Sequence, residues 1–279
     1  MGFLTRFRNT VPGEKEIALF WLGQAGFLIK TSSGHTIAID PYFSDYVMHS
    51  IPEEGLGFKR LSPPPCEAGD IPFDTLLISH EHGDHFDQES IGPMMENGVT
   101  QVYTNITSLE IMKQMPLDQR RIHLLRKGEP VELPDCRLIP VDCDHGELAP
   151  EALGLILDFG FVRLYYAGDT SLTPERLAVP LEMKPEAAIL PINGAFGNLD
   201  GAQAARYAGM LGCKICVPCH FWTFPLHHGD PQTIIDTIGE AAPGCELRLL
   251  CQGEGTIICG NQGKRIQNRR KETWMLSCL

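Results

Sequence analysis

Ser79-His80-Glu81-His82-Gly83-Asp84-His85-Phe86-Asp87 carries three histidines and three carboxylates within eight residues. The apolar run at 75–79 reads as a buried strand, so the cluster begins where that strand ends. Neutral imidazole and carboxylate together form a ligand set for zinc, manganese or iron. In extended backbone, residues two apart point the same way. His80 and His82 are therefore expected to share one metal ion, while Asp84 and His85, past the Gly83 bend, reach a neighbouring one. A surface loop with incidental histidines is the competing interpretation, and it does not account for so dense a run of ligands.

Two ions need further ligands, and later strand ends supply them. Val141-Asp142-Cys143-Asp144-His145-Gly146 offers His145, with Asp142 or Asp144 as substitutes. Tyr165-Tyr166-Ala167-Gly168-Asp169-Thr170 places Asp169 where one carboxylate can face both ions, and Val217-Pro218-Cys219-His220 does the same for His220 as a terminal ligand. A lone strand-end Asp or His is more often a cap or turn residue. Joined to the first cluster, these three complete two coordination spheres.

Around the cluster, 17–22, 27–30 and 36–39 read as a β-meander with turns at Gly23-Gln24-Ala25-Gly26 and Ser32-Ser33-Gly34. The stretch 41–72 is long, irregular and rich in Pro and Gly, the character of a functional or disordered loop. Thr107-Ser108-Leu109-Glu110 has a capping-box pattern, placing a helix at about 108–114. Strands are expected at 121–125, 137–141, 153–157 and 162–166. The last third alternates strand 187–191, helix 202–211 and strand 214–217, then a helix capped by Asp230 with Pro231 at its first position, then strands 247–250 and 256–258. The pattern predicts one domain over 1–279, built as two packed sheets with helices outside.

Composition narrows the function. A net charge of −12 disfavours nucleic acid and anionic membranes at long range. No apolar run approaches the ~20 residues that span a bilayer. The basic cluster Lys264, Arg265, Arg269, Arg270 and Lys271 reads as a solvated terminal segment. Ten cysteines without a secretory h-region indicate a reducing compartment, so the cytoplasm is expected. A small-molecule substrate is the expected partner, with homo-oligomerisation left open.

His80-Glu81-His82-Gly83-Asp84-His85 resembles the HxHxDH signature of the metallo-β-lactamase superfamily, and Gly168-Asp169-Thr170 and His220 resemble its later metal motifs. The resemblance implies an α/β four-layer αββα sandwich with the metals at one edge between the sheets. A closer resemblance is to the L-ascorbate 6-phosphate lactonase group. Phe20-Trp21-Leu22-Gly23-Gln24-Ala25-Gly26 is similar to that group's first strand and turn, and 76–87, 164–169 and 193–220 also match it. The chain departs by being shorter around 41–72 and by offering Asp-Cys-Asp-His at 142–145, where the lactonases are carboxylate-rich. Lys59-Arg60-Leu61-Ser62-Pro63-Pro64 is similar to relatives that cleave lipid phosphodiesters.

The activity so implied is a lactonase with two divalent ions, Mn or Zn, opening a sugar-derived, phosphorylated lactone by attack of a metal-bridging hydroxide. A phosphodiesterase is the alternative. Asp84 and Asp169 are the expected catalytic carboxylates, with His227, His228 and Tyr42 as candidate acids and Asp40 orienting a ligand histidine through its free N–H. Lys59 and Arg60 are expected to meet an anionic group of the substrate. Cys213-x-x-Cys216-x-x-Cys219-His220 has the look of a haem or iron–sulfur motif, yet position 223 is Thr223 and not a fourth cysteine, so buried small hydrophobes are expected there.

Overall fold

The computed structural model describes residues 2–260, so the basic cluster at 264–271 lies outside the described residues. The meander appears as β1 (Glu16–Gly23), β2 (Gly26–Thr31) and β3 (Thr36–Ile39), and β4 (Thr75–Ile78), β5 (Gln101–Thr104) and β6 (Ile122–Leu124) extend the same sheet. The second sheet holds β7 (Val131–Glu132), β8 (Arg137–Asp142), β9 (Leu153–Asp158), β10 (Arg163–Tyr166), β11 (Ala187–Pro191), β12 (Ile215–Cys219) and β13 (Glu246–Leu247). The chain then returns as β14 (Gly255–Cys259), antiparallel to β1 at the edge of the first sheet.

Each seven-stranded sheet is antiparallel in one half and parallel in the other. Parallel neighbours require crossovers, and helices supply most of them. α3 (Ile91–Met95) and α4 (Ile106–Met112) serve the first sheet, after the earlier α1 (Phe3–Asn9) and α2 (Tyr46–Ser50). α5 (Ala178–Met183), α6 (Gly201–Leu211) and α7 (Pro231–Ala241) serve the second. α6 and α7 approach closely because Gly209 has no side chain: a Cβ there would lie 2.1 Å from the Ala241 carbonyl oxygen.

The period of two in β1 builds both faces of its sheet. Ile17, Leu19 and Trp21 enter the core shared with the second sheet, among Tyr166, Ile189 and Val217. Ala18, Phe20 and Leu22 enter the opposite core, under Phe3 and Phe7 of α1 and Met94 of α3. Phe20 alone, 2% exposed, contributes about 1.5–3 kcal/mol of burial. The result is the four-layer αββα sandwich expected from the motifs. Cys216 and Cys219 are buried in β12 as part of the inter-sheet core, consistent with their reading as small hydrophobes.

Several local expectations are corrected. α4 is capped by Asn105, whose side chain accepts from Ser108 N, so Thr107 lies inside the first turn and is not its cap. The expected strand at 247–250 shrinks to Glu246–Leu247, and β5 was not foreseen. The segment after Pro41 is ordered as α2 and a 3-10 turn at Pro52–Phe58. No helix of the described residues is long and apolar enough to cross a membrane.

Candidate metal centre

The site forms where β4, β8, β10 and β12 end. The 80–85 loop does not continue extended as the spacing argument assumed. His85 N and Phe86 N both donate to His82 O, so the chain makes one tight turn there. That turn sends two groups of ligands in different directions. His80, His82 and His145 form one group and Asp84, His85 and His220 another, the ligand atoms of each lying within 4.8 Å of one another.

In the first group, His82 Nδ1 lies 3.1 Å from His80 Nε2 and 3.2 Å from His145 Nε2. In the second, His220 Nε2 lies 3.1 Å and His85 Nε2 3.8 Å from Asp84 Oδ2. Asp169 faces both. Its Oδ1 is 3.1 Å from His85 Nε2 and 3.3 Å from His220 Nε2, while its Oδ2 is 3.7 Å from His145 Nε2. Gly168 permits the bend that delivers Asp169, with φ +65° and a Cβ position only 3.0 Å from the Leu153 carbonyl oxygen.

The second nitrogen of three histidines is held. His80 Nδ1 meets Ser79 Oγ at 2.9 Å, His82 Nε2 meets the Leu148 carbonyl at 3.2 Å, and His85 Nδ1 meets Asp40 Oδ2 at 2.7 Å. Such contacts select the tautomer whose free lone pair points into the cluster. Asp40 is fully buried and also accepts from Ser79 N (2.7 Å), Tyr166 Oη (2.7 Å) and Ser79 Oγ.

These residues fit divalent metal ions. Among the described residues, His85 Nε2 and Asp169 Oδ1 are buried without hydrogen-bond partners, although they lie close together. Near but misaligned, those two atoms aim at shared space and not at each other, and buried polar atoms rarely stay unpartnered. Burial, then the neighbouring His85, pushes His80 well below the usual imidazole range, and burial lowers His145, so both are neutral donors. At His220 burial opposes the charged form, but Asp169 and Asp84 outweigh it and lift the pKa to about 9. The same carboxylates hold His85 well above its usual value against burial. Asp84 and Asp169 are held well below the carboxylate range by His85 and His220, again against burial. Without an ion, two imidazolium protons compensate the two acids.

Of the Asp-Cys-Asp-His run, only His145 joins the cluster. Asp142 pairs with Lys127 at 2.8 Å, and Asp144 pairs with Arg176 at 2.7 Å. Asp87 binds the backbone of Phe43 and Ser44, and Glu81 accepts from Asn105. Two residues not read as site residues from sequence belong here. Gln24 Nε2 donates to Asp84 Oδ2 at 2.8 Å and lies 3.1 Å from both ring nitrogens of His220. Its signal was a lone polar side chain in the 23–26 turn. Asn193 lines the adjoining cavity, and nothing in its spacing marked it. Gln24, Asp40, Phe196, His220 and His227 are five of the eight non-glycine residues with positive φ among the described residues. Strain of that kind costs about 1–3 kcal/mol each and concentrates at functional sites.

A cavity of about 230 Å³ opens beside the cluster, with His227 in its wall. His228 is exposed and outside the lining, which corrects its candidacy as an acid. Tyr42 is excluded likewise. It is fully buried, accepts from Val47 N, and burial raises its phenol far above neutral pH. Lys59 is ion-paired with Asp45. Arg60 donates to the Tyr42 carbonyl at 2.8 Å and stacks over the Tyr42 ring, its Nη2 buried and unpartnered outside the cavity lining. Neither cation meets the cavity, so the anion pocket expected from them is not formed by these residues.

Residues 18–220 match the beta-lactamase superfamily domain. The chain is 27% identical over 236 residues to a UPF0173 metal-dependent hydrolase of Hyperthermus butylicus, covering 84% of this chain and 96% of that one. Among solved structures it is similar to Igni18, a metallo hydrolase of Ignicoccus hospitalis (TM-score 0.66, 22% identity, 87% and 98% of the two chains). It is also similar to an isothiocyanate hydrolase from Delia radicum gut bacteria (TM-score 0.69, 16% identity, 87% and 99%). With its αββα sandwich and the histidine–aspartate cluster at one edge, the chain belongs to the metallo-β-lactamase superfamily and is a metal-dependent hydrolase.

Proposed function

We propose that the protein is a two-metal lactonase, opening a cyclic ester at the cavity beside Asp169. The observation that carries the reading is Asp169 standing between two separate ligand groups, one oxygen toward each. His80, His82 and His145 would hold one ion, and Asp84, His85 and His220 the other. Ions bound there would supply Lewis acidity toward a scissile carbonyl and would lower the pKa of water at the site. Asp40, Ser79 and the Leu148 carbonyl keep the histidine lone pairs aimed inward, so the site is preorganised before substrate enters. Gln24 holds Asp84 in place through its amide.

His227 is the histidine of the cavity wall outside the cluster, set between Phe196 (ring centroids 4.1 Å) and Phe58 (6.2 Å). Burial lowers its pKa, so at neutral pH it is a neutral ring in that wall. We assign its N–H to stabilising the leaving oxygen and relaying a proton from solvent. Among the described residues no Lys or Arg lines the cavity to meet a charged substituent away from the scissile bond, which favours a lactone without a phosphate group.

The test loads the protein with manganese or zinc and assays a panel of lactones beside bis(p-nitrophenyl) phosphate, with elemental analysis of bound metal. Two ions per chain and faster lactone opening are expected. Asp169→Ala is expected to abolish turnover while the protein stays folded. One ion per fully active chain, or cleavage of the phosphodiester alone, refutes the reading.

A further inference from the structure

We infer that Cys213 and Cys245 form a thiol–disulfide site, oxidised by a hydroperoxide to a cross-link that ties the α6–β12 junction to the α7–β13 junction. The site goes beyond the hydrolase reading and shares no residue with the metal centre. Sγ of Cys213 lies 3.8 Å from Sγ of Cys245, and both cysteines are free thiols. The topology brings them together. α6 ends at Gly212, with φ +65°, and Cys213 follows it. Gly244, with φ +87°, closes the turn after α7, and Cys245 follows that. Each cysteine therefore sits on the short path from a helix into a strand. Those strands, β12 and β13, are parallel neighbours with Ile215 opposite Glu246, and Glu246 N donates to the Lys214 carbonyl at 2.8 Å. Paired backbones stand about 4.8 Å apart, a spacing close to the ~4.4–6.8 Å between the Cα atoms of disulfides. Bringing the sulfurs from 3.8 Å to the ~2.05 Å of a bond asks for about 1.8 Å of movement, which side-chain rotation in the turn carrying Cys245 supplies.

Access and reactivity are divided between the two thiols. Cys245 is half-buried and meets solvent, whereas Cys213 is 5% exposed. The Cys213 thiol facing it lowers the pKa of Cys245 against burial, and the same contact raises Cys213. Thiolate is the nucleophile, so Cys245 is the sulfur that reacts first. It attacks hydrogen peroxide, the O–O bond breaks, and one water leaves as Cys245 becomes a sulfenic acid. The Cys213 sulfur then attacks that sulfenic sulfur and gives up its proton, and a second water leaves. Two thiols and one peroxide thus yield one disulfide and two waters, and a reductant reverses the bond. Cys216 is fully buried within β12 and does not compete. In a reducing pool the dithiol is the resting form, and the cross-link appears when peroxide rises. The loop it closes, 213–245, contains β12, the ligand His220 and α7, so the bond restrains the segment that delivers a metal ligand.

The test treats the zinc-loaded full chain with a slight excess of hydrogen peroxide, zinc having no redox chemistry of its own. Trypsin cuts after Arg206, Lys214 and Arg248, and non-reducing mass spectrometry maps the products. A disulfide joining the 207–214 and 215–248 peptides is expected, with fragment ions placing it at Cys213 and Cys245. Tm is expected to rise about 5–15 °C on oxidation and to return with a phosphine reductant. Cys245→Ser, at a half-exposed position, is expected to lose both the link and the rise, while Cys216→Ala keeps them. Four outcomes overturn the inference: Cys213 left as a thiol while the exposed Cys251 or Cys259 oxidises, a bond to Cys216, oxidation of Cys245 that stops at a sulfinic acid, or a lower Tm in the linked protein.

Discussion

Replacing Asp40 by asparagine changes one buried oxygen to an amide nitrogen and nothing in size. Asp40 Oδ1 accepts from Ser79 N, a backbone donor that cannot turn away, so the asparagine oxygen is expected to stay there. The new NH₂ then faces Ser79 Oγ, Tyr166 Oη and His85 Nδ1. The two hydroxyls can rotate and accept. His85 can accept at Nδ1 only by moving its proton to Nε2, the nitrogen aimed at Asp169 and Asp84. The ligand lone pair is thereby replaced by an N–H. Loss of an orienting partner of this type lowers metal affinity about 10–100-fold. The fold also loses hydrogen bonds to a charged acceptor, worth about 1.5–3 kcal/mol each, part of which the amide restores. A net loss of about 2–4 kcal/mol, or roughly 5–15 °C in Tm, is expected. The assay combines elemental analysis of protein equilibrated at buffered free metal with thermal melts in chelator. Wild-type metal affinity in a folded Asp40→Asn protein would show that Asp40 does not set the His85 tautomer.

Three further outcomes are expected. His145→Ala should lower bound metal toward one ion per chain, while Asp142→Ala and Asp144→Ala spare it, because those acids pair with Lys127 and Arg176; a reversed pattern in elemental analysis defeats the assignment. Gln24→Ala, which frees Asp84 from its amide donor, should cut kcat/KM about tenfold with little change in Tm, and an unchanged rate would reduce Gln24 to a turn residue. In chelator, stability should fall from pH 6.5 toward 9. The raised pKa values of His220 (about 9) and His85 contribute stability that is complete below their unfolded value of 6.5 and lost as pH climbs through the folded value. Below 6.5 the lowered values of His80 and His145 act the other way, which places the optimum near that pH. Bound metal displaces the imidazolium protons, so the decline should vanish on metal loading, and a Tm that is flat between pH 6.5 and 9 in chelator contradicts the scheme.

What was legible in the sequence is what local spacing encodes. The strand-then-ligand pattern at 75–85, the later strand ends at Asp169 and His220, and the alternation in β1 all lie within a few residues of backbone whose geometry is known in advance. Asp40, one residue past β3, could be read as a ligand-orienting carboxylate for the same reason, and it bonds His85. The tertiary structure alone decided among residues of equal local promise. His145 differs from Asp142 and Asp144 only because Lys127 and Arg176, from other segments, neutralise the two acids. Lys59 and Arg60 had the right charge in the right loop, but the fold turns one to Asp45 and buries the other against Tyr42. The cavity wall unites Gln24, Phe58, Leu148, Asn193 and Phe224, which no short-range periodicity links. Whether a buried amide such as Asn193 is satisfied depends on every chain segment that packs around it, so its unpartnered state becomes visible only once the two sheets have closed.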